Sequence, residues 1–208
     1  MKLLLTAFDP FGGESVNPAQ EAVRLVRPPV PGLEIVKLEV PTVFGRSLAV
    51  LHEALLAHRP DAVLCVGQAG GRDGLTPERL AVNLEDTAIP DNAGQQPRNK
   101  PVRKGGPDVY HSNLPVQAMA DAIRAAGLPS VVSDSAGTFV CNHLMYGLMD
   151  RIALGFPGML GGFLHVPYLP GQAARFAGKP PSLPLEDIVR GIEAAITAIA
   201  QVGRDRPE

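Results

Sequence analysis

The chain predicts an α/β fold, a sheet covered by helices on both faces, and three observations carry that expectation. Short apolar runs such as "KLLLTAF" and "DAVLCVG" are bounded by Pro, Gly or Asp, the pattern of strands buried on both faces. Between them lie segments of helical periodicity. The two kinds alternate through the first third of the chain, as βαβ units do. At 208 residues the chain is long enough for one well-buried core. A single domain is expected over 1–202, with 203–208 as a frayed tail.

Each element has its own local reason. Lys2 to Phe8 reads as a buried strand that ends in the turn "DPFGG". Asn17 caps a helix whose first position is Pro18, and this helix continues to about Val26. "EIVKLEV" is a strand ending at Pro41. In "FGRSLAVLHEALLAHRP", Leu48, Leu51, Leu55 and Leu56 fall at helical spacing, and the helix stops before Pro60. "DAVLCVG" is the next strand, and "RLAVNLED" alternates like another. The Pro-, Gly- and Asn-rich passage from Ile89 to Leu114 is expected to be a surface loop or hairpin, the kind of segment that borders active sites. "VQAMADAIRAAG" is a helix ending on Gly127, "SVVSDSAG" a strand and turn, and "GMLGGFLHVPYLP" a Gly-rich strand. "PLEDIVRGIEAAITAIAQV" forms the last helix. No internal repeat is visible.

Composition narrows the function classes. Hydrophobic residues make up 45% and charged residues 19%, values of an ordinary globular protein. With 19 basic and 21 acidic residues the formal charge is −2, which supplies no electrostatic footprint for nucleic acid or an anionic membrane. The apolar run at the N-terminus is too short for a secretory signal, and no segment approaches the length of a membrane span. A cytoplasmic address is therefore expected, where the two cysteines are free thiols.

The two thiols differ in context. Cys65, inside "DAVLCVG", reads as a small buried hydrophobe. Cys141, in "SDSAGTFVCNHLMYGLMDRIA", precedes Leu144, Met145, Leu148, Met149 and Ile152, which form one apolar helix face. A helix starting at or just before Cys141 aims unpaired backbone N–H groups at the thiol and favours thiolate, which marks Cys141 as a nucleophile. His143 fails as its base, because residues two apart on a helix point about 200° apart around the axis. It is expected to be structural or at the surface. His52 and His58 sit on the leucine-bearing helix, and His111 lies in the loop. His165 stands at the C-terminal end of a strand, the edge where ligands gather in open α/β sheets, and is the preferred base. Read by itself, Glu78 in "TPER" is a helix-start or surface acid with Glu85, Asp86 and Asp91 as equal rivals.

Six segments in order, "LLTAFDPFGGESVNPA", "CVGQAGGR", "TPERLAVN", "IPDNAGQQP", "SDSAGTFVCN" and "FLHVPYLP", resemble the pyroglutamyl peptidase I family of cytosolic cysteine peptidases. They cover essentially the whole domain. The resemblance implies a three-layer α/β/α sandwich with a mixed, mostly parallel twisted sheet, related to the phosphorylase/hydrolase-like folds. It also implies a homotetramer with no cofactor and no metal. Carried over by position, Cys141 is the nucleophile, His165 the general base and later acid, and Glu78 the carboxylate that orients His165. The reaction implied is removal of N-terminal pyroglutamate from peptides through a thioester. Phe8, Phe11 and Phe139 would line the lactam pocket and Gln68 would bind the lactam, with Ile89 and Val140 near it. Where family members often carry Arg before "IPDN", this chain has Ala88, so a substrate carbonyl needs another donor, for which the backbone N–H of Cys141 is available. Two other readings compete: a nucleoside phosphorylase of shared architecture and a non-enzymatic thiol sensor. Neither has a use for Glu78 and His165 at these intervals from Cys141.

Overall fold

The computed structural model describes residues 1–204. Its central sheet has the order β2-β1-β3-β7-β4. Strands β1 (Lys2–Phe8), β2 (Glu34–Val40), β3 (Ala62–Gln68) and β7 (Leu160–Val166) run parallel, and β4 (Thr76–Glu78) closes one edge antiparallel to β7. The alternation of side chains along these strands divides the interior into two cores. On one face Leu3, Leu5, Leu64, Val66 and Leu164 pack against helices α1 (Pro18–Leu25), α3 (Val116–Ala125) and α6 (Leu185–Arg204). On the other, Leu4, Val63, Cys65 and Phe163 meet α2 (Arg46–His58) and α4 (Val140–Gly155). The result is the three-layer sandwich with a mixed sheet.

Local chemistry sets most boundaries. The Asn17 side chain accepts from the Ala19 N–H at 3.0 Å and Pro18 opens α1. Gly127 follows α3 at φ +81°, a left-handed conformation that suits glycine. Four expectations change. The strand expected over "RLAVNLED" shrinks to β5 (Leu80–Val82), while Thr76–Glu78 just before it forms the unexpected β4. "SVVSDSAG" contributes only isolated bridges, Leu75 to Ser130 and Glu78 to Ser133, because Pro129 and the Ser-rich turn interrupt a continuous ladder. A short helix, α5 (Pro170–Ala173), follows "HVPYLP". Helix α6 continues through Gly203 and Arg204 into the expected tail, and the rest of that tail lies outside the described residues.

The passage from Ile89 to Leu114 does more than border the surface. Its strand β6 (Val109–His111) pairs antiparallel with β5, and together with the neighbouring loop it covers the polar face of α4. The Asn142 Oδ1 accepts from the Val82 N–H, and its Nδ2 donates to the Val82 and Leu84 carbonyls. Tyr146 donates to the Pro107 carbonyl and Tyr110 to Asp150, each at 2.8 Å, and Arg103 pairs with Asp150 at 2.7 Å. Helix α4 is thereby buried on almost every side from Val140 to Asp150. Its first turn is held rigidly over the C-terminal ends of β3 and β7.

Candidate active site

Three elements bring chemistry to one cavity of about 340 Å3. Cys141 is the second residue of α4 and is 9% exposed. The N-cap residue, Phe139, makes no side-chain capping bond, so the first-turn N–H groups are not taken by a cap. His165 lies near the end of β7, opposite Gly67 of β3 and Thr76 of β4. A Cβ on Gly67 would stand 3.0 Å from Cys141 Sγ and 2.7 Å from the Phe163 ring. The sulfur therefore sits over the bare backbone beside His165, and only a residue without Cβ permits that approach.

Glu78 is the surprise of location. It is fully buried on β4, and its Oε1 accepts from His165 Nδ1 at 2.7 Å. A carboxylate only accepts, so Nδ1 carries the proton and Nε2 is left as the basic nitrogen. Because β4 is antiparallel to β7, Thr76 and Glu78 project to the same side of the sheet as Phe163 and His165. Arg72, absent from the sequence-based site, forms an ion pair with the same Oε1, its Nη2 lying 3.0 Å away. It also binds Thr76 Oγ1 at 2.9 Å and the Ser135 carbonyl at 3.0 Å. A lone Arg after a Gly pair carries no sequence signal for this role, since the pairing needs the β4–β7 register.

A second pair has the same form and a different fate. His143 Nδ1 meets Glu85 Oε1 at 2.5 Å, but its Nε2 accepts the Gly45 N–H at 3.0 Å. Both ring nitrogens are thus occupied, and the histidine is 4% exposed, structural and not at the surface. His52 packs edge-on against Phe156, His58 ends α2, and His111 lies on β6; none lines the cavity.

The thiol is not a thiolate by virtue of the helix start alone. Burial pushes Cys141 up to about 12, helped by the charges of Glu78 and Cys65, while its own backbone N–H and Arg72 pull the other way. Desolvation outweighs the dipole that the sequence pattern pointed to. Cys65 is likewise raised to about 12 by burial, with a bond from Thr6 opposing.

Phe11, Gln68 and Phe139 line the cavity with Cys141 and His165, the Phe11 and Phe139 rings lying 5.9 Å apart. Phe8 and Val140 do not: Phe8 packs under the wall 6.3 Å from Phe163, and Val140 turns into the core one position before the sulfur. Ile89 is 45% exposed and outside the lining, as is Ala88, whose carbonyl accepts from Gln96. Gln172 Oε1 accepts the Leu169 N–H at 3.1 Å, so its Nε2 donates to Gln68 Oε1 at 3.3 Å. That turns the Gln68 carbonyl toward Gln172 and leaves its NH2 as the donor end. A larger hollow of about 780 Å3 lies at the opposite strand ends among Met1, Asp61, Phe156 and Met159, without Cys or His in its wall. Among the described residues no cluster of three or more His, Cys, Asp or Glu is arranged to hold a metal. No helix there is long and apolar enough to cross a membrane.

Comparison with known proteins agrees along the whole length. The sequence profile of the pyroglutamyl peptidase family matches residues 1–202. A pyrrolidone-carboxylate peptidase of Levilactobacillus brevis is 56% identical over 199 residues, covering 96% of this chain and 97% of that one. The crystal structure of pyroglutamyl peptidase I from Bacillus amyloliquefaciens superposes with a TM-score of 0.92 at 50% identity, covering 96% of this chain and 97% of the other. A mutant pyrrolidone carboxyl peptidase from the hyperthermophile Pyrococcus furiosus does so at 0.92 and 34% identity, over 97% and 99%. With a matching profile over nearly every residue and a shared fold at this identity, the chain belongs to the pyroglutamyl peptidase family.

Proposed function

We propose that the peptidase activity of this family member runs through Cys141, His165 and Glu78 and removes N-terminal pyroglutamate by way of a thioester. The observation that carries this reading is the Glu78–His165 bond of 2.7 Å, which leaves His165 Nε2 free in the cavity that Cys141 also lines. His165 Nε2 takes the Sγ proton, and the sulfur attacks the carbonyl carbon of the pyroglutamyl residue. With burial pushing the thiol up to about 12, thiolate forms as the proton passes to His165. Backbone N–H groups of the first turn of α4, that of Cys141 included, face the developing oxyanion, the task that a guanidinium at Ala88 would otherwise share. The imidazolium then protonates the leaving amine. Water, deprotonated by His165, attacks the thioester and releases pyroglutamate and the free thiol.

The pocket suits an uncharged lactam. Phe11 and Phe139 supply apolar walls, and the Gln68 NH2, held outward by Gln172, fits the ring carbonyl. Among the described residues, no Asp or Glu in the cavity lining awaits an ammonium. We also assign the chain to the cytoplasm, as one domain over 1–202 that assembles as a homotetramer, states checked by fractionation, limited proteolysis and light scattering.

The decisive assay uses a pyroglutamyl-linked reporter with wild type, Cys141→Ala and Cys65→Ala. Cys141→Ala is expected to lose nearly all activity while Cys65→Ala keeps most of it. Full activity in a folded Cys141→Ala protein removes the nucleophile. A prolyl reporter with the same leaving group is expected to react about 10³-fold more slowly in kcat/KM, because it leaves Gln68 unpaired and forces an ammonium into an apolar site. Comparable rates on the two reporters would replace the lactam reading with another specificity.

A further inference from the structure

Glu78 is a fully buried carboxylate whose Oε1 meets His165 Nδ1 in a hydrogen bond of 2.7 Å and Arg72 Nη2 in an ion pair of 3.0 Å, while its Oε2 has no hydrogen-bond partner among the described residues. A carboxylate buried this deeply needs a compensating positive partner, and Arg72 supplies one. Among the described residues, Arg72 is the one Lys or Arg in the cavity lining. Its side chain is a quarter exposed and is anchored at three points: Glu78, Thr76 Oγ1 and the Ser135 carbonyl. Those anchors tie β4 to the loop that carries Ala136 and Gly137 into the cavity wall.

We propose that Arg72 is a positioning residue for the reaction: its guanidinium pairs with Glu78 and holds it aimed at His165, and its charge stabilises the Cys141 thiolate. This rests on the Cys141–His165–Glu78 reading. The groups that face the sulfur are Glu78 from β4, His165 from β7, Cys65 from β3 and Arg72 from the loop after β3. Two of them, Glu78 and Cys65, raise the thiol as they charge, and His165 is cationic only while it holds a proton. Arg72 is the permanent positive charge. A fixed cation promotes proton loss from every neighbouring group, so its removal raises the acid limb (thiolate formation) and the alkaline limb (imidazolium loss) together. The fork also matters: a lysine supplies charge at one point and cannot span carboxylate, hydroxyl and carbonyl at once.

The test is the pH dependence of Cys141 alkylation by iodoacetamide, read by mass spectrometry and independent of substrate, alongside pH profiles of kcat/KM. Arg72→Gln is expected to move the alkylation midpoint and both kcat/KM limbs up by about one pH unit, with alkylation near neutrality slowed about tenfold. Arg72→Lys is expected to restore most of the midpoint while kcat stays reduced, because the charge returns without the fork. Glu78→Gln and His165→Ala are run in parallel. If these two leave the alkylation profile unchanged, the triad itself fails. If they alter it and a folded Arg72→Gln does not, the role of Arg72 alone is overturned. Should Arg72→Gln not fold, Arg72→Lys decides: wild-type kcat and midpoint in that variant overturn the proposal, and a loss of kcat at a near wild-type midpoint supports it.

Discussion

Two Glu–His pairs lie within one protein, and a single hydrogen bond separates their chemistry. His165 has Glu78 on Nδ1 and keeps Nε2 open to the cavity, whereas His143 has Glu85 on Nδ1 and the Gly45 N–H on Nε2. The second pair is therefore a brace between α4 and the start of α2, with Phe44 edge-on to the His143 ring. Removing it leaves the nearly buried Glu85 carboxylate unpaired. His143→Ala is expected to lose about 1–3 kcal/mol of stability in urea unfolding, the cost of that unpaired group, and yet to keep the wild-type pH profile of Cys141 alkylation. His165→Ala also takes a hydrogen bond from a buried carboxylate and should lose stability as well, but it alone should change the alkylation profile. Matching alkylation profiles in the two variants would dissolve the distinction. Helical geometry alone excluded His143 as the partner of Cys141 in the sequence. Its burial was not legible there, because Glu85 and Gly45 are distant in the chain.

At the scale of the element, α4 carries both the proposed nucleophile and the seam between layers. Its apolar face was legible from Leu144, Met145, Leu148, Met149 and Ile152, while nothing within the helix says what meets Asn142, His143, Tyr146 and Asp150. They are buried because the chain from Leu80 to His111 folds back over them. Against α2 the approach is closer still: a Cβ on Gly147 would fall 2.2 Å from Leu48 Cδ2. Gly147→Ala is expected to cost about 1–3 kcal/mol by overpacking, and Leu48→Ala in the same chain is expected to recover part of that loss. A double-mutant cycle measures it. Strict additivity of the two losses would mean that the helices do not meet at these residues.

At the scale of the molecule, a sheet shared by two cores buries both thiols deeply, and this couples stability to alkaline pH. Burial raises Cys65 from an ordinary 9.0 to about 12. A raised acid contributes stability that is complete below its unfolded value and is lost as pH rises through the window up to its folded value. Cys65→Val removes that contribution and keeps an apolar side chain in place. The stability gap between wild type and Cys65→Val, from urea midpoints, is accordingly expected to shift against wild type as pH rises above about 9. A gap that stays constant from pH 7 to pH 10.5 would mean that Cys65 does not sense the interior.

The sequence by itself determined the four parallel strands and the longer helices between them, the caps at Asn17 and Gly127, the burial of Cys65 and the helix start at Cys141, because each follows from local periodicity and turn chemistry. It also carried enough ordered motifs to mark the family resemblance. Tertiary structure alone decided the burial of Glu78, the Arg72 clamp, the Gln172 bond that turns Gln68 and the enclosure of the polar face of α4. Each of these depends on partners brought together by strand register or by a long excursion of the chain, and periodicity within a segment says nothing about which distant segment will face it.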